Sequence, residues 1–305
     1  MNAHDSPEAV FRKNSRSFSL AASFFAARDR SAVARMYCFC RFLDDLADDT
    51  QTGDHMALDL AHARLVGKCE APGRSVEADF LALARERSFP LDPALDLIAA
   101  LRVDCGSRSI QTTDELIRFA YGVAGTVGRM LRHVIDARDA RADAFAIDLG
   151  IGLQLSNVIR DIAEDARRGR FYLPAEWVEP EEVLRAMAGD ASAISRVDQA
   201  VQCALDLSER YYESARSGFA FIPQRNRRVI FIAAALYQEI GRKVSRSGPG
   251  GWRQRTVVRP GEKLGVIIRS LRECRRWRTT KWSEHPEPQH DSTLHDALFE
   301  VLENR

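Results

Sequence analysis

Cysteine is scarce in this 305-residue chain, with six residues at positions 38, 40, 69, 105, 203 and 274. They are too few and too irregularly spaced for the disulfide framework of a small secreted domain. Cys38 and Cys40 are separated by one residue, so the C-x-x-C spacing of redox and zinc motifs is missing and thiolate-held metal is not expected. Together these absences predict a reducing, cytoplasmic setting. Net charge is also lacking: 44 Lys+Arg against 43 Asp+Glu leaves +1, which removes any whole-molecule case for a nucleic-acid partner. No apolar run approaches the ~18–20 residues of a membrane span. The N-terminus, MNAHDSPEAVFRKNSRSF, does not have the basic-then-apolar order of a secretion signal. A G-x-x-x-x-G-K-[ST] loop is absent, so nucleoside triphosphate chemistry is not indicated.

Helix breakers are rationed. The first 52 residues hold no Gly and one Pro, and residues 94–173 hold no Pro. Because Pro inside a helix costs ~3 kcal/mol, such stretches favour helices, and period-2 alternation is not sustained anywhere. Helices are expected at 17–26, 30–49, 57–69, 75–87, 92–106, 113–137, 140–167, 179–188, 192–217, 225–246, 260–277 and 292–303. Asp29 and Thr113 stand where N-caps belong. This predicts an all-α protein with one contiguous core. Residues 1–275 form the body, and 276–305 form a poorly ordered tail with a short terminal helix. The basic stretch with Trp277 and Trp282 reads first as a solvated tail and second as a membrane-surface patch.

Two helices carry acid where apolar residues dominate. In 31–49, Tyr37, Arg41, Asp44 and Asp48 fall within about 60° of one another, while Val33, Met36, Phe39, Phe42, Leu43 and Leu46 occupy the rest of the circumference. In 149–174, Gln154, Asn157, Asp161 and Asp165 form a second stripe of similar width, surrounded by Leu149, Ile151, Leu153, Leu155, Val158, Ile159 and Ile162. A single D-x-x-x-D is ordinary on a solvated face. Two copies on helices apolar enough to be buried need compensation by positive charge. If they line one cavity, hard oxygen ligands without His or Cys point to Mg²⁺ shared with phosphate oxygens. Positive partners are near: Arg41, Arg160, Arg167, Arg168, Arg170, and the Asn14-Ser15-Arg16-Ser17 run before a helix start. Gly122, Gly125 and Gly128 interrupt a good helix, implying either a closely approaching neighbour or a kink.

These segments, in this order and spacing, resemble the squalene/phytoene synthase family: Asn14-Ser-Arg-Ser-Phe18, Tyr37-x-x-Cys-Arg41-x-x-Asp44-x-x-x-Asp48, Tyr121-Gly-Val-Ala-Gly-Thr-Val-Gly128, and Gln154-x-x-Asn157-x-x-Arg160-Asp161-x-x-x-Asp165 followed by Arg168-Gly-Arg-Phe-Tyr-Leu-Pro174. The resemblance implies an all-α, isoprenoid-synthase-type helical bundle around a central cavity. It also implies a prenyltransferase that joins two prenyl diphosphates head to head through a cyclopropylcarbinyl diphosphate. Carried over by position, Asp44, Asp48, Asn157, Asp161 and Asp165 would hold Mg²⁺ (Mn²⁺ as a substitute), with Gln154 completing the second site. Asn14, Ser15, Arg16, Ser17, Tyr37, Arg41, Arg160, Tyr237 and Lys263 would bind diphosphate. Phe18 would shield the cation, and Tyr121 would stand near the reacting carbons.

Within the family, the Tyr121–Gly128 and Asp161–Arg170 stretches resemble bacterial phytoene synthases most, which implies two geranylgeranyl diphosphates and no need for NADPH. The 30-carbon enzymes that use farnesyl diphosphate stay open, giving dehydrosqualene, presqualene diphosphate, hydroxysqualene or squalene. A non-catalytic assembly protein of the same fold is disfavoured by the intact acid rows. Chain-elongating prenyltransferases and terpene cyclases are disfavoured because D-D-x-x-D occurs once, at Asp44–Asp48, and not as a pair, and N-x-x-x-S-x-x-x-E does not occur. The expected location is cytoplasmic, with peripheral contact at the inner membrane surface for release of a hydrocarbon.

Overall fold

The computed structural model describes residues 6–14, 18–48, 55–106, 108–279 and 288–303. Fourteen α-helices run through them: α1 (Pro7–Asn14), α2 (Phe18–Ala22), α3 (Ala27–Asp48), α4 (Met56–Leu65), α5 (Val76–Arg87), α6 (Asp92–Asp104), α7 (Thr113–Ala120), α8 (Thr126–Val134), α9 (Ala142–Arg167), α10 (Pro180–Met187), α11 (Ala191–Ser217), α12 (Gln224–Arg246), α13 (Pro260–Thr279) and α14 (Phe299–Glu303). A five-residue π-helix, Tyr121–Gly125, joins α7 to α8. The sheet content of the described residues is two short parallel strands, β1 (Arg108–Ser109) and β2 (Arg170–Phe171).

α9 is the axis of the molecule, packed by α8, α11, α12 and the π-helix. Ile151, Leu155, Val158, Ile159 and Ile162 are buried on successive turns. Among the described residues it alone is long and apolar enough to match a membrane span, with a mean hydropathy of 1.2. That reading differs from the sequence expectation, which found no such run. Its cause is a core helix packed by other helices, which needs apolar residues around most of its circumference, the cleft-facing stripe excepted.

Both explanations for the glycines of 122–128 hold. A Cβ at Gly128 would sit 2.1 Å from the carbonyl oxygen of Ala146, and one at Gly122 would sit 2.5 Å from the Cβ of Ala100. The absence of a Cβ at these positions therefore lets α8 close on α9 and the π-helix close on α6. The π-turn itself widens the backbone where Tyr121–Gly125 passes the interior.

Four expectations need correction. The core is two neighbouring clusters, both packed against Val123, rather than one contiguous body. Thr112, not Thr113, caps α7, accepting the Glu115 amide. Asp29 is no cap: α3 starts at Ala27, and the carboxylate is buried, taking Arg87 at 3.1 Å and the Asn226 amide at 3.1 Å. Residues 288–303 are not a loose tail. Leu294 and Leu298 are buried in the second cluster, and the Tyr211 hydroxyl donates to the Leu294 carbonyl at 2.8 Å. The rest of the expected tail, 280–287 and 304–305, lies outside the described residues, and of 275–279 only the helical backbone is described. Helix α1 was not anticipated; Ser6 before Pro7 is its start signal, with Oγ accepting the Ala9 amide at 3.3 Å.

Candidate active site

The two acid stripes meet. Asp44 and Asp48 from the C-terminal half of α3, and Gln154, Asn157, Asp161 and Asp165 from α9, line one cleft of about 330 Å³ together with Arg41 and Arg160. The placement follows from the periodicity: residues at i, i+4 and i+7 share a helix face, and each face is turned toward the other helix. Leu101, Ala47, Val123 and Val158 supply apolar wall between the polar rows.

The sequence does not mark Asp104 and Tyr172 as site candidates, and Arg170 enters there only as a nearby positive partner. Asp104 ends α6 and accepts the Tyr172 hydroxyl at 3.0 Å, and Arg170 reaches Asp48 at 3.6 Å. Pairing of β1 with β2 (Arg108 with Arg170, Ser109 with Phe171) sets this geometry. Arg170 and Tyr172 were visible as part of the Arg168–Pro174 segment, whereas a lone Asp at a helix end carries no pattern. A further cation, Arg255, pairs with Asp161 at 3.2 Å from the loop before α13.

Five carboxylates (Asp44, Asp48, Asp104, Asp161, Asp165) face three guanidiniums (Arg41, Arg160, Arg170) in the lining, so negative charge is in excess. Burial, against the partial relief of Arg41 and with the added repulsion of Asp48, pushes the Asp44 carboxyl up to about 7. Burial and the neighbouring Asp161 push Asp165 up to about 7 as well. Burial raises Asp104 also, against the pull of Arg108. Asp161 is held by its chain neighbour, with Arg160 Nη2 at 2.5 Å from Oδ2. Burial among like charges raises both, a cost that a bound cation would relieve.

The donor set fits a hard divalent ion. Beside the acids, the Asn157 amide donates to Gln154 Oε1 at 3.2 Å, yet its own Oδ1 is buried with no hydrogen-bond partner among the described residues. An orphaned carbonyl oxygen beside Asp161 and Asp165 is what a metal ligand looks like before the metal arrives.

The remaining predicted residues fall into two groups. Tyr37 packs on Phe11 (ring centroids 4.6 Å), Phe18 meets the same ring edge-on at 5.3 Å, and burial raises the Tyr37 hydroxyl. Tyr237 stands close enough to Tyr37 and Arg160 to act on the charge of both. Tyr37 and Tyr237 thus stand next to the lining residues Arg41 and Arg160 without being part of the lining themselves. Others do not open to it. Tyr121 is 2% exposed, its hydroxyl donating toward Asp96 at 3.4 Å and accepting from Arg129 at 3.3 Å. Lys263, in the first turn of α13, is not part of the cleft wall. Asn14 ends α1, with its side chain undescribed, and Ser15, Arg16 and Ser17 lie outside the described residues.

Comparison with known proteins agrees with this geometry. A sequence model of the family "Squalene/phytoene synthase" matches residues 11–262. The 15-cis-phytoene synthase of Enterobacter agglomerans is 34% identical over 265 residues, covering 83% of this chain and 90% of that protein. The phytoene synthase of Pseudescherichia vulneris is 31% identical over 299 residues, covering 92% and 95%. Among solved structures, a dehydrosqualene synthase in complex with ligand superposes with a TM-score of 0.78 at 26% identity, covering 88% of this chain and 95% of that one. A squalene synthase from Alicyclobacillus acidocaldarius shares the fold at a TM-score of 0.68 and 23% identity, covering 81% and 94%. With an all-α body, two acid rows across one cleft and a family match over most of its length, this chain belongs to the squalene/phytoene synthase family.

Proposed function

We propose that the protein is a prenyltransferase that condenses two geranylgeranyl diphosphates head to head into phytoene with Mg²⁺. The observation that carries this reading is the convergence of Asp44, Asp48, Asn157, Asp161 and Asp165 on one cleft rimmed by Arg41, Arg160 and Arg170. Mg²⁺ held by these oxygens would neutralise the diphosphate leaving group, an effect worth several kcal/mol. The three guanidiniums bind the remaining phosphate oxygens and orient each C1 toward the apolar interior. Phe119, Val123 and Val158 keep water from the allylic cation.

The first step breaks a C1–O bond, releasing diphosphate. The double bond of the second substrate attacks the allylic cation, and loss of a proton closes the cyclopropane. The second step breaks the remaining C–O bond, the cation rearranges, and loss of another proton gives phytoene. No electrons enter from outside, so NADPH is not needed; a squalene product would require hydride. Relatives at 31–34% identity bear the name phytoene synthase, which favours the 40-carbon reading. The similarity to a dehydrosqualene synthase structure favours a 30-carbon reading from farnesyl diphosphate as the second choice.

Incubation with geranylgeranyl or farnesyl diphosphate and Mg²⁺, with and without NADPH, followed by mass analysis of the extracted lipid, tests the proposal. A 40-carbon hydrocarbon formed without NADPH is expected; a 30-carbon product supports the second reading, and intact substrates under all conditions overturn both. We also propose cytoplasmic residence with peripheral membrane contact. Leu264 and Ile268 on α13 and Leu20 and Phe24 beside α12 leave apolar side chains exposed on neighbouring elements. Cosedimentation with anionic vesicles is the check, and failure to pellet above the protein-alone control contradicts it.

A further inference from the structure

Asp148 also lies on α9, but about 20 Å along the axis from Asp161 and about 140° around it, so it takes no part in the cleft. It has no exposed surface. Both of its oxygens meet histidines from the C-terminal segment: His290 Nε2 is 2.9 Å from Oδ2, and His295 Nε2 is 2.8 Å from Oδ1. The Ser214 hydroxyl on α11 donates to Oδ2 at 2.5 Å. The two imidazoles are 4.4 Å apart, and Phe145 meets His290 edge-on at 5.3 Å. Among the described residues no Lys or Arg pairs with Asp148.

We propose that Asp148, His290 and His295 form a second metal site, of the zinc type, which staples residues 288–303 to the helical body. Three arguments converge. First, one donor atom from each residue lies within 4.8 Å of the others. An ion with bonds of about 2.0–2.2 Å joins donors roughly 3–4 Å apart, so the group needs to adjust by less than about 1 Å. Second, the buried carboxylate has no Lys or Arg partner among the described residues, and a divalent ion would supply a fixed positive charge to it in a low-dielectric interior. Third, two nitrogens and one carboxylate suit zinc, cobalt or iron, whereas the all-oxygen cleft suits magnesium. Ser214 then acts as the outer partner that orients the ligating carboxylate.

The segment has independent anchors in Leu294, Leu298 and the Tyr211–Leu294 hydrogen bond. Metal therefore tightens a docked element and does not create it. Its hold on the C-terminal chain is separate from the acid cleft, and its ligands are separate from those of the proposed reaction.

The test uses the full chain, stripped with chelator and titrated with Co²⁺ in excess Mg²⁺, read by visible absorption. One equivalent of Co²⁺ with an imidazole-type ligand-field band, displaced by Zn²⁺, is expected. The band should vanish in His290→Ala and His295→Ala and persist in Asp161→Asn. Ser214→Ala should weaken affinity by about 10–100-fold. His290→Gln keeps a hydrogen-bond donor for Asp148 and so keeps the segment docked, yet should lose the band. Absence of the band in the wild type, or equal Co²⁺ spectra in the wild type and both alanine variants, overturns the site and leaves the trio as a hydrogen-bonded clasp.

Discussion

Arg170 Nη1 lies 3.6 Å from Asp48 Oδ1, joining the strand that follows α9 to the end of α3 across the mouth of the cleft. The same guanidinium acts on the charge of Asp104 and Asp165. It is thus shared among acids from three helices, and a diphosphate would meet it on entry. Arg170→Ala should raise KM for the prenyl diphosphate and lower kcat/KM by about 10–100-fold, since hydrogen bonds to charged groups are worth about 1.5–3 kcal/mol. Arg170→Lys should recover part of the loss. Steady-state kinetics at saturating Mg²⁺ decide; unchanged KM in the alanine variant contradicts a substrate contact.

Asp44→Asn, Asp161→Asn and Asp165→Asn each remove one charged oxygen from the convergent set. Turnover should fall by about 10³-fold or more, the scale of several kcal/mol of lost leaving-group stabilisation. Far-ultraviolet circular dichroism should stay helical, because the buried apolar faces of α3 and α9 are untouched. Wild-type-like rates in any purified variant would contradict the metal assignment.

Stability should respond to pH through Asp44 and Asp165. Each sits at about 7 in the fold, above an ordinary value of 3.8. A carboxyl with a raised folded pKa favours folding fully below its unfolded value, and that contribution is lost as pH rises through about 7. In metal-free buffer, Asp44→Asn should therefore melt higher than wild type at pH 8 and close to it near pH 4. Mg²⁺ binds the ionised form, so it should raise the wild-type Tm more at pH 8 than at pH 5. Calorimetry showing a pH-independent Mg²⁺ shift would remove this account.

Gly128→Ala places a Cβ 2.1 Å from the Ala146 carbonyl oxygen, a backbone atom that cannot rotate away. Separation of α8 from α9 should cost about 1–3 kcal/mol or more. Urea unfolding measures it, and an unchanged midpoint would mean that the helices are not in the contact described.

Asp29 and Arg87 are both buried, with Asn226 and Arg225 also donating to the carboxylate. Asp29→Ala should destabilise by about 3–5 kcal/mol, because it leaves the buried guanidinium with only the more distant Asp136 carboxylate, at 3.8 Å, as a charge partner. A loss below about 1 kcal/mol in chemical denaturation would show that solvent reaches Arg87.

Much of the fold could be read from local rules. A Pro-free stretch and apolar residues at helical spacing act within one or two turns, which is why the ranges of α3, α9, α11 and α12 are close to those expected. The same rule placed Asp44 with Asp48 and Asp161 with Asp165. The misreadings share a cause. Asp29 looked like a cap because capping residues and buried ion-pair residues are the same residue types; only Arg87, far along the chain, separates the two cases. Residues 288–303 looked loose because their partners, Tyr211, Asp148 and the second core cluster, are distant in sequence.

What the chain determines by itself, then, is periodicity: which residues share a helix face, and that two such faces carry acid. Whether those faces oppose each other, which further residues join them (Asp104, Arg170 and Tyr172), and that Tyr121 is packed behind the cleft wall are decided by tertiary packing. The physical reason is range. Helix geometry relates residues a few positions apart, whereas charge compensation and close helix approach depend on contacts whose sequence separation carries no periodic signal.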